Sequence, residues 1–161
     1  MSRTAKFWIA AVIVLAGAQL IRPQKTNPPE DPARTLFAHA QPSAEVAGIL
    51  KHSCRDCHSY NTRWPWYSNV APVSWMVIDD VNEGRRHFNM SDWGQYDTRR
   101  ASEKLGNICD EVADGGMPER SYTWLHSGAA LSAEQRNAVC LWTQAERERL
   151  AKAQPTAPSG K

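Results

Sequence analysis

One five-residue motif, Cys54-Arg55-Asp56-Cys57-His58, constrains this chain more than any other feature of its sequence. The pattern C-x-x-C-H is the attachment signature of a c-type haem. Positions i and i+3 share one face of a helix, so both thiols can bond the two vinyl groups along one haem edge. The adjacent imidazole can then reach the iron from the proximal side. The motif predicts one covalent haem c held by Cys54 and Cys57, with His58 as the proximal iron ligand.

Two other uses of a C-x-x-C pair are open to this sequence. A thioredoxin-like redox pair needs a βαβ context, and no segment here alternates apolar and polar residues as a strand does. A four-cysteine zinc site could recruit Cys109 and Cys140, yet these two cysteines lie far apart and lack a second knuckle spacing. Both patterns fit the chain less well than haem attachment does.

Cys109 and Cys140 also have a structural interpretation. In an oxidising compartment they could form a disulfide between adjacent helices, a link that stabilises a protein by about 2–4 kcal/mol. Two free buried thiols are an equal alternative, because Cys109 lies on the apolar face of its predicted helix whereas Cys140 lies beside the apolar face of its own.

The first 22 residues carry the pattern of an export signal. Arg3 and Lys6 precede an apolar run that continues, with two interruptions, to Ile21. The positive end is expected to stay in the cytoplasm, which places the rest of the chain outside it. Residues 16–18 offer a small-x-small cleavage site, whereas the apolar continuation favours an uncleaved anchor. We therefore expect residues 1–22 to be a signal anchor or signal peptide, and the domain to face the periplasm at the cytoplasmic membrane.

Composition divides the remainder of the chain into three parts. Residues 23–35 form a proline-rich spacer, because a segment of this composition cannot bury a core and favours an extended chain. Residues 36–152 form the haem-binding domain, and residues 153–161 form a disordered tail. Apolar spacing in the domain is helical throughout, which predicts an all-α fold.

Start and stop signals locate the predicted helices. Ser43 is placed to cap the helix that carries the motif. Ser132 and Gln135 form a capping box at the start of the last helix, which continues to about residue 152. Apolar spacing places on its inner face Ala138, Leu141, Trp142 and Ala145. Apolar spacing predicts two further helices, over 73–84 and 101–114.

Charge excludes one class of partner. The chain of 161 residues has 19 Lys and Arg against 17 Asp and Glu, a formal net charge of +2, and both excess charges lie near the amino terminus. A nucleic-acid binder would carry a clear basic excess in its domain, so we expect no nucleic-acid partner. Seven tryptophans are many for this length and indicate a large flat ligand or an aromatic-rich core.

The sixth iron ligand has several candidates. Met117 has the best setting, because Gly116 permits close approach of the backbone and Pro118 holds Met117 extended in a loop. His126, in the loop ahead of the last helix, is the alternative. Met76 lies in an apolar stretch where core packing is the better use of a methionine. The remaining candidates are Met90, His39, His52 and His87.

Several motifs in sequence order resemble one family. C-x-x-C-H-S is followed by T-R-W-P-W-Y-S at 62–68 and A-P-V-S-W at 71–75, and further down by E-G-R at 83–85 and M-P at 117–118. This order resembles the bacterial haem-binding domain family of small membrane-anchored c-type cytochromes, from about residue 19 to residue 142. The tryptophan-rich block is far more specific than C-x-x-C-H alone.

The resemblance implies a cytochrome c-like helical domain wrapped around one covalent haem. By position it implies Cys54 and Cys57 as attachment sites, His58 as the proximal ligand and Met117 as the distal ligand. Two features depart from the family pattern: Met90, where an aromatic residue is expected, and the additional Cys109 and Cys140.

These features favour an electron-transfer protein over an enzyme. A six-coordinate haem packed by Trp64, Trp66 and Trp75 would pass single electrons between redox partner proteins, with the membrane contacted through the N-terminal helix. An open distal side would instead indicate a haem-based peroxidase or a small-gas sensor. A haem that only stabilises the fold would indicate an interaction module.

Overall fold

The computed structural model describes residues 1–153, and these residues contain helices but no strand. The predicted all-α class is therefore confirmed for this part of the chain. Of the predicted tail, Ala153 ends the last helix, and residues 154–161 lie outside the described part. The α-helices are α1 Arg3–Ala18, α2 Leu36–His39, α3 Ala44–Ile49, α4 Arg55–His58, α5 Val73–His87, α6 Thr98–Ala113, α7 Arg120–Leu125 and α8 Ala133–Ala153.

Shorter helical turns connect these helices. A π-helical segment, Leu50–Cys54, joins α3 to α4, so the chain is helical without a break from Ala44 to His58. Three 3₁₀ segments lie elsewhere, at Pro32–Arg34, Trp66–Asn69 and Met90–Gln95.

Side-chain N-caps lie at the helix starts that the sequence predicted. Ser43 Oγ accepts from the Val46 amide at 3.2 Å, which satisfies one of the free donors at the start of α3. Ser132 and Gln135 bond reciprocally at 2.9 and 3.2 Å, so the predicted capping box of α8 is confirmed.

The core is built around the pairing of α6 with α8. α3 also contacts α8, and α2 packs on the 3₁₀ segment Met90–Gln95. A disulfide joins Cys109 on α6 to Cys140 on α8, with the two Cα atoms 4.7 Å apart. Of the two alternatives left by the sequence, the structure therefore has the disulfide. The largest fully buried apolar side chains are Leu36, Leu50, Met90, Leu105 and Val139.

The N-terminal helix stands apart from this core. α1 is 16 residues long and buries none of them. Among residues 1–153, no helix combines the length and the apolar character needed to cross a bilayer.

Residues 19–30, which we call the strap, lie along the domain. The sequence predicted an extended spacer over 23–35, but polar side chains bind this segment to the domain. Asn27 Nδ2 donates to the Thr62 carbonyl at 2.8 Å, and Glu30 accepts from the Ser91 hydroxyl. The strap is therefore held against the domain by hydrogen bonds, and the 3₁₀ turn Pro32–Arg34 follows it.

Candidate cofactor site

One cavity of about 380 Å³ has the motif on its wall. This volume lies within the range of ordinary small-molecule and cofactor pockets. Cys54, Cys57 and His58 face it from the α4 side, and one face of α5 forms the neighbouring wall. The loop at Met117 and α7 form a further part of the lining. Apolar side chains on the walls include Val73, Met76, Val77, Val81, Met117 and Leu125.

The two motif cysteines are free thiols on this wall. Burial raises the pKa of Cys54 and of Cys57 to about 12, and the carboxylates of Asp80, Asp56 and Glu119 add to the rise at Cys57. A reactive redox pair needs a lowered thiol pKa, which this site does not provide.

The alternatives for the C-x-x-C pair lose their structural context. No strand occurs among residues 1–153, so the βαβ unit of a thioredoxin-like site is missing from this part of the chain. Cys109 and Cys140 are bonded to each other, and therefore they cannot join the motif cysteines around a zinc ion.

His58 is buried and oriented by its neighbour Phe88. Its Nδ1 lies 3.2 Å from the Phe88 carbonyl oxygen, and the two rings stack with centroids 4.2 Å apart. Because a carbonyl only accepts, Nδ1 carries the proton and Nε2 is left as the unprotonated nitrogen. Burial also lowers the pKa of His58, which favours the neutral form that binds metals. A hydrogen bond from the second ring nitrogen is the usual support of a metal-binding histidine.

Gly84 sets the distance between α5 and the motif. A Cβ atom at this position would lie 2.8 Å from the Cys57 carbonyl oxygen, closer than real side chains approach. The sequence predicted that the helix ends at Gly84, but α5 continues to His87. Here glycine serves close helix packing rather than termination.

Asp56, between the two cysteines, joins the motif to α7. Its buried carboxylate accepts from the Tyr122 hydroxyl at 3.0 Å and from the Arg63 backbone amide at 3.3 Å. The Tyr122 ring stacks on His126 with centroids 3.9 Å apart. Burial, followed by the nearby Asp56 charge, raises the pKa of Tyr122, so its hydroxyl remains a donor at neutral pH.

The structure brings both predicted distal ligands to the cavity. Met117 lines it and is half-buried, in a loop that begins at Gly115 with a left-handed φ of 74°. His126 lines it as well, and its Nδ1 lies 2.9 Å from the Tyr122 carbonyl oxygen, which leaves Nε2 free.

Met76 differs from its prediction. The sequence assigned it to core packing, but its side chain is 62% exposed and lines the cavity from α5. Its helical spacing from Val73 and Asp80, which also line the cavity, was the signal that could have found it. Met90 takes the core position instead and is almost fully buried.

The three predicted packing tryptophans, Trp64, Trp66 and Trp75, do not line the cavity. Pro65 and Tyr67, from the same block of sequence, are the residues on its wall. Tryptophan content alone could not distinguish these neighbours, because the 3₁₀ turn at Trp66–Asn69 decides which side chains face inward.

Arg85 holds the loop that follows the motif. Its guanidinium donates to the Ser59 carbonyl at 2.8 Å and to Thr62 Oγ1 at 2.9 Å. It also reaches the strap, donating to the Thr26 carbonyl at 2.8 Å and to Asn27 Oδ1 at 3.2 Å. Five planar donors make arginine suited to such a junction. The sequence contains the E-G-R motif, but the hydrogen-bond partners of Arg85 lie 23 to 59 residues away along the chain. The motif alone therefore does not identify them.

Comparison with known proteins found one family. A sequence model described as a haem-binding domain matches residues 13–145, most of the chain. Searches of curated proteins and of solved structures gave no significant match.

Proposed function

Because the chain belongs to the haem-binding domain family, we propose that it is a mono-haem c-type cytochrome that transfers single electrons outside the cytoplasm. One observation carries the proposal. Cys54, Cys57 and His58 share the wall of one largely apolar cavity, with both thiols unpaired and the imidazole oriented by Phe88. Two thiols and one neutral imidazole at this spacing are the donor set that covalent haem attachment needs.

Each residue has a defined part in this proposal. The Cys54 and Cys57 thiols would hold the haem by adding across its two vinyl groups, the sulfur bonding one carbon and the hydrogen going to the other, so no oxidant is needed. His58 Nε2 would bind the iron, while Nδ1 keeps its proton and donates it in the hydrogen bond to the Phe88 carbonyl. A bound haem would supply a one-electron change between ferric and ferrous states.

Met117 is proposed as the distal ligand. It lines the same cavity as the motif and is presented by a loop rather than by a helix. A thioether in the sixth position raises the reduction potential relative to two imidazoles. His126 is the alternative, since its Nε2 is free and its ring is held against Tyr122.

An absorption spectrum of the purified full chain, with a pyridine haemochrome assay, tests the function. We expect a low-spin haem with two thioether bonds and a methionine-to-iron charge-transfer band. A high-spin haem that binds carbon monoxide readily would support the peroxidase or gas-sensor function instead. Protein made with active haem-c maturation and carrying no covalent haem would refute the proposal.

We also propose that the domain faces the periplasm at the cytoplasmic membrane and exchanges electrons with redox partner proteins there. Support comes from Arg3 and Lys6 at the start of α1, ahead of its run of apolar residues, and from the Cys109–Cys140 disulfide, a bond typical of oxidising compartments. Protease added to cells with an opened outer barrier should cleave the domain. Recovery of the full-length chain in the cytosol would contradict this location, whereas a soluble periplasmic form that starts near Gln19 would indicate cleavage of the signal.

A further inference from the structure

The chain is bound to the domain as soon as it leaves α1. The Gln19 side-chain amide forms two hydrogen bonds with Ala71, donating to its carbonyl and accepting from its amide, both at 3.0 Å. Two residues later, Trp75 Nε1 donates to the Ile21 carbonyl at 2.9 Å. The end of α1 is therefore fixed next to the start of α5, with no flexible segment between them.

The strap then passes along the 3₁₀ segment Trp66–Asn69. Lys25 Nζ reaches Ser68 Oγ at 3.5 Å and also bonds to Asn69. Gln19 bonds to Ala71, and Lys25 bonds to Ser68 and Asn69. The segment Trp66–Asn69 therefore lies beside residues 19–25.

Large apolar side chains are exposed at this place. We define the exit surface as Leu20, Ile21, Trp66 and Val70, whose side chains are 85%, 62%, 78% and 44% exposed. Neither Trp66 nor Val70 lines the cavity, so a cofactor in that cavity is not what these side chains face. Large exposed apolar side chains on two hydrogen-bonded neighbouring segments, next to the end of α1, indicate a surface that is covered in use.

The two stretches of chain that form the exit surface carry no acidic residue. The sequence contains no Asp or Glu between residues 19 and 29 or between residues 61 and 78, while Arg22 and Lys25 lie in the first stretch and Arg63, paired with Asp56 at 3.5 Å, lies in the second. Cations next to an apolar surface suit a bilayer with anionic headgroups. Tryptophan is enriched where a membrane meets water, which is the position that Trp66 would occupy.

We propose that the exit surface lies in the interfacial layer of the membrane that holds α1, so that the strap presses the domain against lipid in one orientation. The inference rests on the membrane attachment proposed above and adds a contact surface to it. Tyr67 and Val73, next to the exit surface in the chain, line the cavity. The cofactor cavity would consequently open close to the membrane surface rather than at the end of a long tether.

Photocrosslinking of the full haem-loaded chain tests this orientation. The photoreactive residue p-benzoylphenylalanine replaces Ile13 on α1, Trp66 on the exit surface, or Trp124 on α7, one position at a time. Trp124 is a matched control, because it is as exposed as Trp66 but lies outside the exit surface. Each protein is placed in vesicles of phosphatidylethanolamine and phosphatidylglycerol, irradiated and analysed for lipid adducts by mass spectrometry.

We expect lipid adducts at positions 13 and 66 and at least several-fold fewer at position 124. Adding Gln19→Ala should lower the adducts at position 66 several-fold and leave those at position 13 unchanged, because the strap loses both bonds to Ala71. Adducts at 13 without adducts at 66, or equal adducts at 66 and 124, would overturn the orientation alone. A chain without adducts at position 13 would refute the membrane attachment and the orientation with it.

Discussion

The two walls of the cavity differ in how firmly the fold holds them. The proximal wall is built from the motif and Gly84, with Phe88 behind it. Asp56, His58 and Gly84 are buried there, and the His58 imidazole is held by its hydrogen bond to the Phe88 carbonyl. The distal wall, residues 115–126, contains α7, which buries none of its residues, and presents Met117 from a loop. Packing therefore fixes the proximal donors, while the distal ligand is presented by a short, weakly packed segment.

Removing the proximal donors should have the largest effect. Cys54→Ala or Cys57→Ala should each remove one thioether bond and impair covalent attachment, and His58→Ala should prevent a normal proximal bond, because no other imidazole lies next to the two motif thiols in the sequence. Haem staining of the denatured protein measures attachment. The matched control is Cys109→Ala with Cys140→Ala, which should lower stability by about 2–4 kcal/mol yet keep the haem covalently bound. If the Cys109 and Cys140 double variant lost as much haem stain as the Cys54 and Cys57 variants, the assignment of Cys54 and Cys57 as attachment sites would be wrong.

Gly84→Ala tests whether packing builds the proximal wall. A Cβ atom 2.8 Å from the Cys57 carbonyl must push α5 away from the motif, so we expect strongly reduced haem incorporation and a clear loss of thermal stability. Gly48→Ala is the control, since a Cβ atom there meets nothing within 4 Å and alanine favours the α3 helix by up to about 1 kcal/mol. Equal haem incorporation in the two variants would show that the close approach is unimportant.

Substitutions on the distal wall should leave attachment intact and change the spectrum. Met117→Ala should open the sixth position, shift the ferric haem toward high spin and admit carbon monoxide to the ferrous form. Met76→Ala and His126→Ala should leave the low-spin spectrum largely unchanged, although both side chains line the same cavity. A spin change in His126→Ala alone would assign His/His ligation, and one in Met76→Ala alone would move the thioether to α5.

The sequence predicts the structural features that neighbouring residues determine, and it does not predict those that depend on contacts between distant residues. The caps at Ser43 and Ser132 and the spacing of the motif involve neighbouring residues, so they could be predicted. The buried face of α8 could not be predicted in this way. Ala138, Leu141, Trp142 and Ala145 form the face that apolar spacing predicts, yet Leu141 and Ala145 are exposed. The helix instead buries Val139, Thr143 and Glu146.

Two long-range interactions explain this rotation of α8. The disulfide fixes Cys140 against Cys109 on α6, and Arg149, which pairs with Glu146 on the same helix, donates to the His39 carbonyl at 2.9 Å. Cys109 and His39 both lie outside α8, so hydrophobic spacing gave no sign of these contacts. Likewise, the sequence predicted a spacer without contacts to the domain, because the hydrogen-bond partners of the strap lie up to 61 residues away along the chain.

Tyr122→Phe should have a smaller effect, because it cuts one hydrogen bond between the walls. Loss of the 3.0 Å bond to Asp56 should lower the free energy of unfolding by about 1 kcal/mol and loosen the distal loop, seen as faster carbon monoxide binding. The matched control is Tyr60→Phe, whose hydroxyl bonds to Asp92 outside the cavity. Tyr60→Phe should lower the free energy of unfolding by a similar amount in urea titrations and leave the rate of carbon monoxide binding unchanged. Similar binding rates in both variants would mean that Asp56 does not hold α7.

The smallest effect is expected at Asp80, where the charges of the two walls meet. Burial, with the Glu119, Asp79 and Glu83 carboxylates, raises the pKa of Asp80 above its ordinary 3.8. The folded protein then binds more protons here than the unfolded chain, so stability falls as the pH rises through 3.8 and past the folded pKa, and the whole cost is present above that folded pKa. Asp80→Asn removes that charge. It should raise the melting temperature at pH 7, and the gain should shrink as the pH falls toward 3.8. The control Asp110→Asn, on an exposed part of α6, should change the melting temperature little at pH 7. A constant gain at Asp80 would mean that packing of the amide, and not relief of carboxylate repulsion between Asp80 and Glu119, produced it.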